Sequence, residues 1–538
     1  MSLPMECFEP RQREETMSSP VGAPIAGATP RFFAVAVPFL GLLGAVQGSA
    51  PNINSTALVS VTRDLNMTGG SVALAASIQT IAIAGTVITT GLLADRLGRR
   101  RVLLAGLLIG VAGSAISGLA PVSLIYLLGQ VLSGIGLGAV YAAAFGYINA
   151  VAKPGKLAAA LGLFGATIGL VTLIMTFAGG ALAGVNWRLG YFVTAIVGAL
   201  CFFVTPMVLP HITKLKNTNL DIGGQLLLGV GLIGFLYGVS QLGRSLTAPE
   251  TLLPLIGGAI CLVLFFIVEA KYKKSFYPVQ IFKSPIFIAA ILAGFIYNFG
   301  VAVAFLQTTN LWQYVTDVPT RDIAYWQLPL IGAGIIGALV TGRLMAKGLS
   351  NAGALAGGAV ITGVGFALLA LAASAKSFLA FLPGLVLVGA GLLVVSIPFG
   401  NLIIQEAPPD KYGPVTSSRT TIGQFFYSIG FALGTVFIDR LTMGGVVNKL
   451  TDAGVQPDLI GTAVTSVNQY VQTQEQPSTE VGKQALADAV TSYSGSFASL
   501  MWICAVLVIV AGLVALMLLR RAKHAAQGSA NPTPSPSA

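Results

Sequence analysis

The chain has 538 residues, of which 55% are hydrophobic and 9% charged, with a mean hydropathy of +0.82. A water-soluble domain carries about 25% charged residues, so this balance excludes a soluble globular fold and points to an all-α polytopic membrane protein. The net charge of +11 is not read as a nucleic-acid footprint, because lysine and arginine gather in the loops on one side of such a protein.

Residues 1–30 form a polar tail with Pro, Glu and Arg and no signal-peptide pattern. Fourteen apolar runs follow, each long enough to span a bilayer. They lie at 32–58, 71–93, 102–121, 123–149, 158–183, 188–209, 222–242, 252–270, 286–310, 323–345, 352–373, 378–403, 413–438 and 496–519. An even count puts both termini on the same side. With the termini in the cytoplasm, 21 of the 30 lysines and arginines fall on the inner side and 8 on the outer, as the positive-inside rule requires. Cys7 lies in the tail, while Cys201, Cys261 and Cys504 lie in apolar runs, so no disulfide framework is expected. The 65 glycines suit close helix packing in a membrane.

An internal repeat divides the chain. Thr90-Gly91-Leu92-Leu93-Ala94-Asp95-Arg96 precedes one span, and Thr341-Gly342-Arg343-Leu344-Met345-Ala346-Lys347 precedes its counterpart in the second half. In the second copy Ala346 replaces the aspartate. Two homologous six-helix halves leave this kind of trace. The expected organisation is a six-helix bundle at 31–209, inserted helices 7 and 8 at 210–284, and a second bundle at 285–520. The second bundle includes an outer loop, 440–495, read as a small cap on the outer mouth or as a gate or docking element. Residues 521–538 end in a Pro/Ser-rich stretch and are read as a disordered cytoplasmic tail.

The most specific stretch is Gly91-Leu92-Leu93-Ala94-Asp95-Arg96-Leu97-Gly98-Arg99-Arg100-Arg101. It reads as a tight charged loop between two spans. It resembles the loop between helices 2 and 3 of the major facilitator superfamily, and the likeness extends from about Arg31 to Arg521. The fourteen-helix drug:proton antiporter branch is the nearest in pattern. Ala57-Leu58-Val59 with Arg63-Asp64-Leu65 resembles the end of that branch's helix 1. Gly179-Gly180-Ala181-Leu182 with Asn186-Trp187-Arg188 resembles the join of helices 5 and 6. Leu220-Asp221-Ile222-Gly223-Gly224 resembles the start of helix 7, and Glu269-Ala270-Lys271 through Pro278 to Phe282 the exit from helix 8. The resemblance implies two six-helix bundles around a central cavity, alternating between inward-open and outward-open states. It implies a conformational switch at Gly91, Asp95, Arg96, Gly98, Arg99 and Arg100, with the Asp95 carboxylate near a neighbouring helix N-terminus.

The chain also departs from the family. Ala50 stands where helix 1 usually carries an aspartate, Gln130 where helix 4 usually carries an arginine, and Met175-Thr176 where helix 5 usually has Gly-Pro. Two ionisable positions of the usual coupling site are thus neutral together, consistent with the cost of stranding either charge alone. Glu406, Glu269 and Asp439 remain as possible proton carriers, and Glu406 is preferred because it follows Asn401 on an inward-facing end.

Arg419 is the one basic residue inside a span. With Gly423, Tyr427, Gly430 and Gly434 it shares one helix face. It either snorkels or pairs with backbone carbonyls near the cytoplasmic mouth, or it anchors an anionic group on substrate or lipid or serves as a gate partner. Gln47 and Asn54, in the polar outer half of helix 1, are cavity candidates. So are Gln79, Gln130, Tyr141, Tyr297, Asn298, Trp326, Gln327, Asn401, Gln424 and Tyr427, though such side chains also serve as interhelical hydrogen-bond partners. There is no paired Walker motif, metal cluster or nucleophile triad, so no enzyme, cofactor, metal or nucleic-acid partner is expected. The favoured reading is a monomeric exporter of amphipathic organic compounds in the bacterial inner membrane, in contact with lipid and coupled to protons or another ion. A metabolite or lipid transporter with atypical or no proton coupling is the second reading. A non-transporting sensor or scaffold using the 440–495 loop is the third.

Overall fold

The computed structural model describes residues 30–67, 70–152, 156–211, 221–242, 245–272, 275–316, 318, 320–473 and 476–530. The N-terminal tail before Pro30 and the Pro/Ser-rich end after Ala530 lie outside them. Within them run fifteen α-helices. The first six are α1 (Pro30–Asp64), α2 (Gly70–Leu97), α3 (Arg99–Leu119), α4 (Ser123–Val151), α5 (Leu157–Val185) and α6 (Trp187–Val208). Then come α7 (Ile222–Gln241) and α8 (Pro249–Lys271). The last seven are α9 (Pro285–Tyr314), α10 (Thr320–Ala346), α11 (Asn351–Leu371), α12 (Phe378–Glu406), α13 (Tyr412–Asp452), α14 (Pro457–Thr473) and α15 (Glu480–Ala530). All except α14 are long and apolar enough to cross a membrane.

Local chemistry sets several starts. Asn186 caps α6, Asp221 caps α7 by accepting from Gly224 N at 2.9 Å, and Ser350 caps α11 by accepting from Gly353 N at 3.1 Å. Gly98, at φ +100°, makes the turn between α2 and α3 in a backbone region that L side chains rarely enter.

Packing follows one scheme twice. In the first bundle, α3 lies against α4 and α6, α2 against α4, and α1 against α5. In the second, α11 lies against α12 and α15, α10 against α12, and α9 against α13. The bundles meet through α2 with α13 and α5 with α10, a pair of contacts that exchange under the repeat. The pair α7–α8 packs on α2 and α13 from outside. Large apolar side chains such as Leu108, Phe203, Leu253 and Val506 are exposed around the periphery, where hydrocarbon, not water, would meet them.

The helices at 440–495 outrun the apolar windows. α13 continues to Asp452 and α15 begins at Glu480, so the 413–438 and 496–519 spans are the membrane-length middles of longer helices. Hydropathy falls there, but the helix carries through Gly444 and Gly445 and breaks only near Gly454, at φ +75°. With α14 these ends form a cap around Val446, Leu450, Ile460, Ala463, Val467, Ala485 and Ala489. At the other end α15 carries on to Ala530, so residues 521–530 of the expected disordered tail are helical. Arg520-Arg521-Ala522-Lys523 and the alanines after them are good helix formers.

Candidate functional site

The end of the molecule that holds Arg96–Arg101 is called the basic face here, and the end that holds 440–495 the cap face. Near the basic face the central helices are enclosed on all sides. Gly136–Ile148 of α4, Val395–Ile404 of α12 and Tyr412–Ser418 of α13 are buried without interruption. In the cap-face half of α1, by contrast, Ser55 and Thr56 are exposed.

Two polar clusters close the basic face. The first is built on the α2–α3 turn. Asp95 accepts from Arg99 at 2.9 Å through one oxygen and from the backbone N–H of Gly413, in the first turn of α13, through the other. Both side chains are almost fully buried. Arg99 also donates to the Gly146 carbonyl on α4 and lies 4.8 Å over the Tyr412 ring. Asp95 thus meets a guanidinium and the positive end of a helix dipole at once. The close approach needs glycine on both helices. A Cβ at Gly91 would lie 2.7 Å from the Gly413 carbonyl oxygen, and one at Gly413 would strike the Gly91 carbonyl. Arg96 and Arg100 are half-buried on the same turn, and Arg96 Nη1 has no hydrogen-bond partner.

The second cluster surrounds Arg419. Its Nη1 donates to the Tyr141 hydroxyl on α4, in the other bundle, and its Nη2 donates to Ser396 Oγ on α12 at 3.1 Å. The guanidinium lies 4.9 Å from the Phe145 ring centre and 5.1 Å from that of Phe399. Its buried Nε has no hydrogen-bond partner, and among the described residues no carboxylate lies within ion-pair distance of it.

The remaining candidates separate by position. Tyr297 is half-buried on α9, on the same level of the interface as Tyr141 and Arg419. Gln424 and Tyr427 are half-buried on α13, Gln424 with an unpartnered Oε1 and Tyr427 stacked on Phe431. Gln47 is buried on α1. The others are tied into their own bundles. Asn54 accepts from Tyr126 and Tyr191 and donates to the Ala75 carbonyl. Gln79 donates to Ser133 at 2.8 Å, and Gln130 to Ser117 at 3.0 Å. Gln327 donates to Thr308 and Thr309, and Trp326 packs on Trp312 and Phe378. Asn401 donates to Asn351 at 2.9 Å, and Asn298 to the Gly294 carbonyl at 2.8 Å. The glycine stripe after Arg419 is occupied as well: Gly423 faces Asn298, Gly430 faces Phe299, and Gly434 faces Gln307, all on α9.

The three carboxylates also differ. Glu406 ends α12 half-buried, and Asp439 is exposed on α13 toward the cap. Glu269 is 1% exposed. Its Oε1 and the Oδ2 of Asp221 both lack a hydrogen-bond donor, and both lie against Gly224. The other Glu269 oxygen accepts from Tyr277 N at 3.4 Å. Lys411, next to the α13 start, donates to Ser275 at 3.2 Å in the same region. Asp221, Ser396, Phe145, Phe399, Tyr412 and Gly413 were not singled out from the sequence as site residues. Each is an ordinary core, cap or loop residue until the fold brings its partner from a distant helix.

The sequence profile of the Major Facilitator Superfamily matches residues 40–435. Multidrug transporter protein MdtP of Bacillus subtilis (strain 168) is 29% identical over 366 residues, 67% of this chain and 66% of that protein. Puromycin resistance protein pur8 of Streptomyces alboniger is 27% identical over 423 residues, 77% of this chain and 82% of that one. Among solved structures, the proton:xylose symporter XylE superposes with a TM-score of 0.57 at 12% identity, covering 90% of this chain and 95% of that chain. Two repeated bundles with an inserted helix pair, a profile match over most of the length and these relatives agree: the chain belongs to the Major Facilitator Superfamily and is a membrane transporter.

Proposed function

We propose that this transporter exports amphipathic organic compounds from a bacterial cytoplasm by alternating access, with the basic face inward. The observation that carries this reading is the closure of the basic face by a few directional polar contacts between bundles, while Ser55 and Thr56 in the cap-face half of α1 are exposed. Asp95 on Gly413 and Arg419 on Tyr141 are contacts that a rigid-body rotation of one bundle would break together. The aromatic and amide groups around Tyr141, Tyr297, Gln424 and Tyr427 suit loosely defined amphipathic solutes. The names of the two curated relatives support efflux. The route lies within one chain, consistent with a monomer surrounded by lipid.

Of the three carboxylates, Glu269 is the one proposed to exchange a proton. It and Asp221 are two buried acids facing one another, and one proton held between them satisfies both oxygens. Lys411 and Tyr277 are the titratable groups nearest the pair, and Lys411 leads directly into the Tyr412–Gly413 end that holds Asp95. The test is accumulation of amphipathic dyes in proteoliposomes, with and without a pH gradient. Saturable, protein-dependent flux is expected. Dye movement identical to that in empty liposomes, with folded protein present, would refute export.

A further inference from the structure

We propose that Arg419 anchors an anionic group on the transported solute, so that the preferred substrates are amphipathic anions, not cations. The proposal rests on the export reading and names its substrate class. The guanidinium sits where α4, α12 and α13 converge, between two phenyl rings, with an unpartnered Nε directed at Gly400. The other acidic side chains of the membrane-spanning helices are engaged or distant. Asp95 holds Arg99, Asp64 holds Arg188 at 3.1 Å, and Glu269 faces Asp221. The centre of the interface therefore carries a positive charge that no described residue neutralises. Leaving such a charge half-buried and without a counter-ion is costly.

In the closed basic face Arg419 is satisfied by two neutral hydroxyls, and one of them, Tyr141, belongs to the opposite bundle. Separating the bundles removes Tyr141. The freed Nη1, with Nε, then presents a planar fork that matches a carboxylate, sulfonate or phosphate. An anion would replace the lost hydroxyl and supply the missing counter-charge. It would bind best when the basic face is open, and a cation would be repelled from the same place. An anionic lipid headgroup could offer the same chemistry as a soluble amphiphile.

The test is equilibrium binding and flux of a matched pair of dansyl probes, one a sulfonate and one a trimethylammonium, with the full chain in phosphatidylcholine nanodiscs and proteoliposomes. The sulfonate is expected to bind at least tenfold more tightly than the ammonium probe. Arg419→Gln should remove that preference and Arg419→Lys should retain part of it. Ser396→Asp places an internal counter-ion beside the guanidinium and keeps the arginine, so it should weaken sulfonate binding at least tenfold even if Arg419→Gln fails to fold. Equal binding of both probes, or sulfonate binding unchanged in folded Arg419→Gln or Ser396→Asp, overturns the proposal. Charge-selective binding without flux would overturn export and leave the anion site standing. Repeating the assay in phosphatidylglycerol separates the two sources: competition with the sulfonate identifies the lipid headgroup, and unchanged binding identifies a soluble amphiphile.

Discussion

The two largest helix crossings between the bundles are related by the repeat, yet only one of these crossings carries a carboxylate contact. Where α2 crosses α13, Gly91 meets Gly413, and Asp95 binds the start of α13. Where α10 crosses α5, Gly342 meets Gly162 and Ala158, with a Cβ there 3.0 Å from the Ala158 carbonyl oxygen. The residue equivalent to Asp95 is Ala346. Glycine at each crossing lets the backbones touch, so close approach is common to both. The carboxylate converts one crossing into a latch. Among the described residues the other crossing is held by packing, and in the proposed rocking motion it would serve as the pivot.

Breaking the latch gives the largest expected effect. Asp95→Ala leaves Arg99 buried without its counter-charge, a loss of about 3–5 kcal/mol for a buried pair. It should appear as a large fall in melting temperature in detergent and as new accessibility of basic-face residues to a thiol or amine reagent. Next comes the glycine comparison. Gly91→Ala forces its Cβ onto Gly413 and Ser417, and overpacking of this kind costs about 1–3 kcal/mol. That exceeds the gain of about 0.5–1 kcal/mol from replacing a helical glycine. Gly342→Ala meets neighbours at 3.0 Å or beyond and should cost less. Thermal unfolding of the two variants side by side checks the order.

A fourth variant reads the coupling to the inserted helices. Glu269→Gln supplies a permanent N–H donor toward Asp221 and should keep the fold while abolishing gradient-driven accumulation. Downhill exchange should persist. Accumulation unchanged from wild type would remove Glu269 from the coupling. The smallest effect is expected from Ala346→Asp, which restores the missing carboxylate near the start of α5. A charge near a helix N-terminus contributes about 0.3–1 kcal/mol. The variant should stabilise slightly and slow transport, as a second latch would.

The sequence made the helices legible because lipid imposes a simple condition: each span needs about 20 apolar residues. The repeat was legible because Thr-Gly and a basic residue survive in both copies. The extent of α13 and α15 was not, since helices leave the bilayer without any change in backbone preference. Asp95 and Arg419 stood out as charges in apolar surroundings. Their partners did not. Tyr141 lies 278 residues from Arg419, and Gly413 lies 318 residues from Asp95. The amides were ambiguous for a related reason. Gln79, Gln130 and Gln327 satisfy Ser and Thr hydroxyls inside a bundle, and a lone amide in a helix reads the same whether it faces a neighbour or a cavity.

The central claim is that the bundles are held together at the basic face by Asp95 and Arg419 and rock apart there. Spin labels at Leu97 and Asp410 on the basic face, and at Val185 and Tyr325 near the cap face, allow both separations to be measured by pulsed electron resonance in nanodiscs. The account predicts that Asp95→Asn lengthens the basic-face distance and shortens the cap-face distance in the same sample. Distances that stay fixed at both faces, in wild type and variant alike and with or without transported solute, would contradict it.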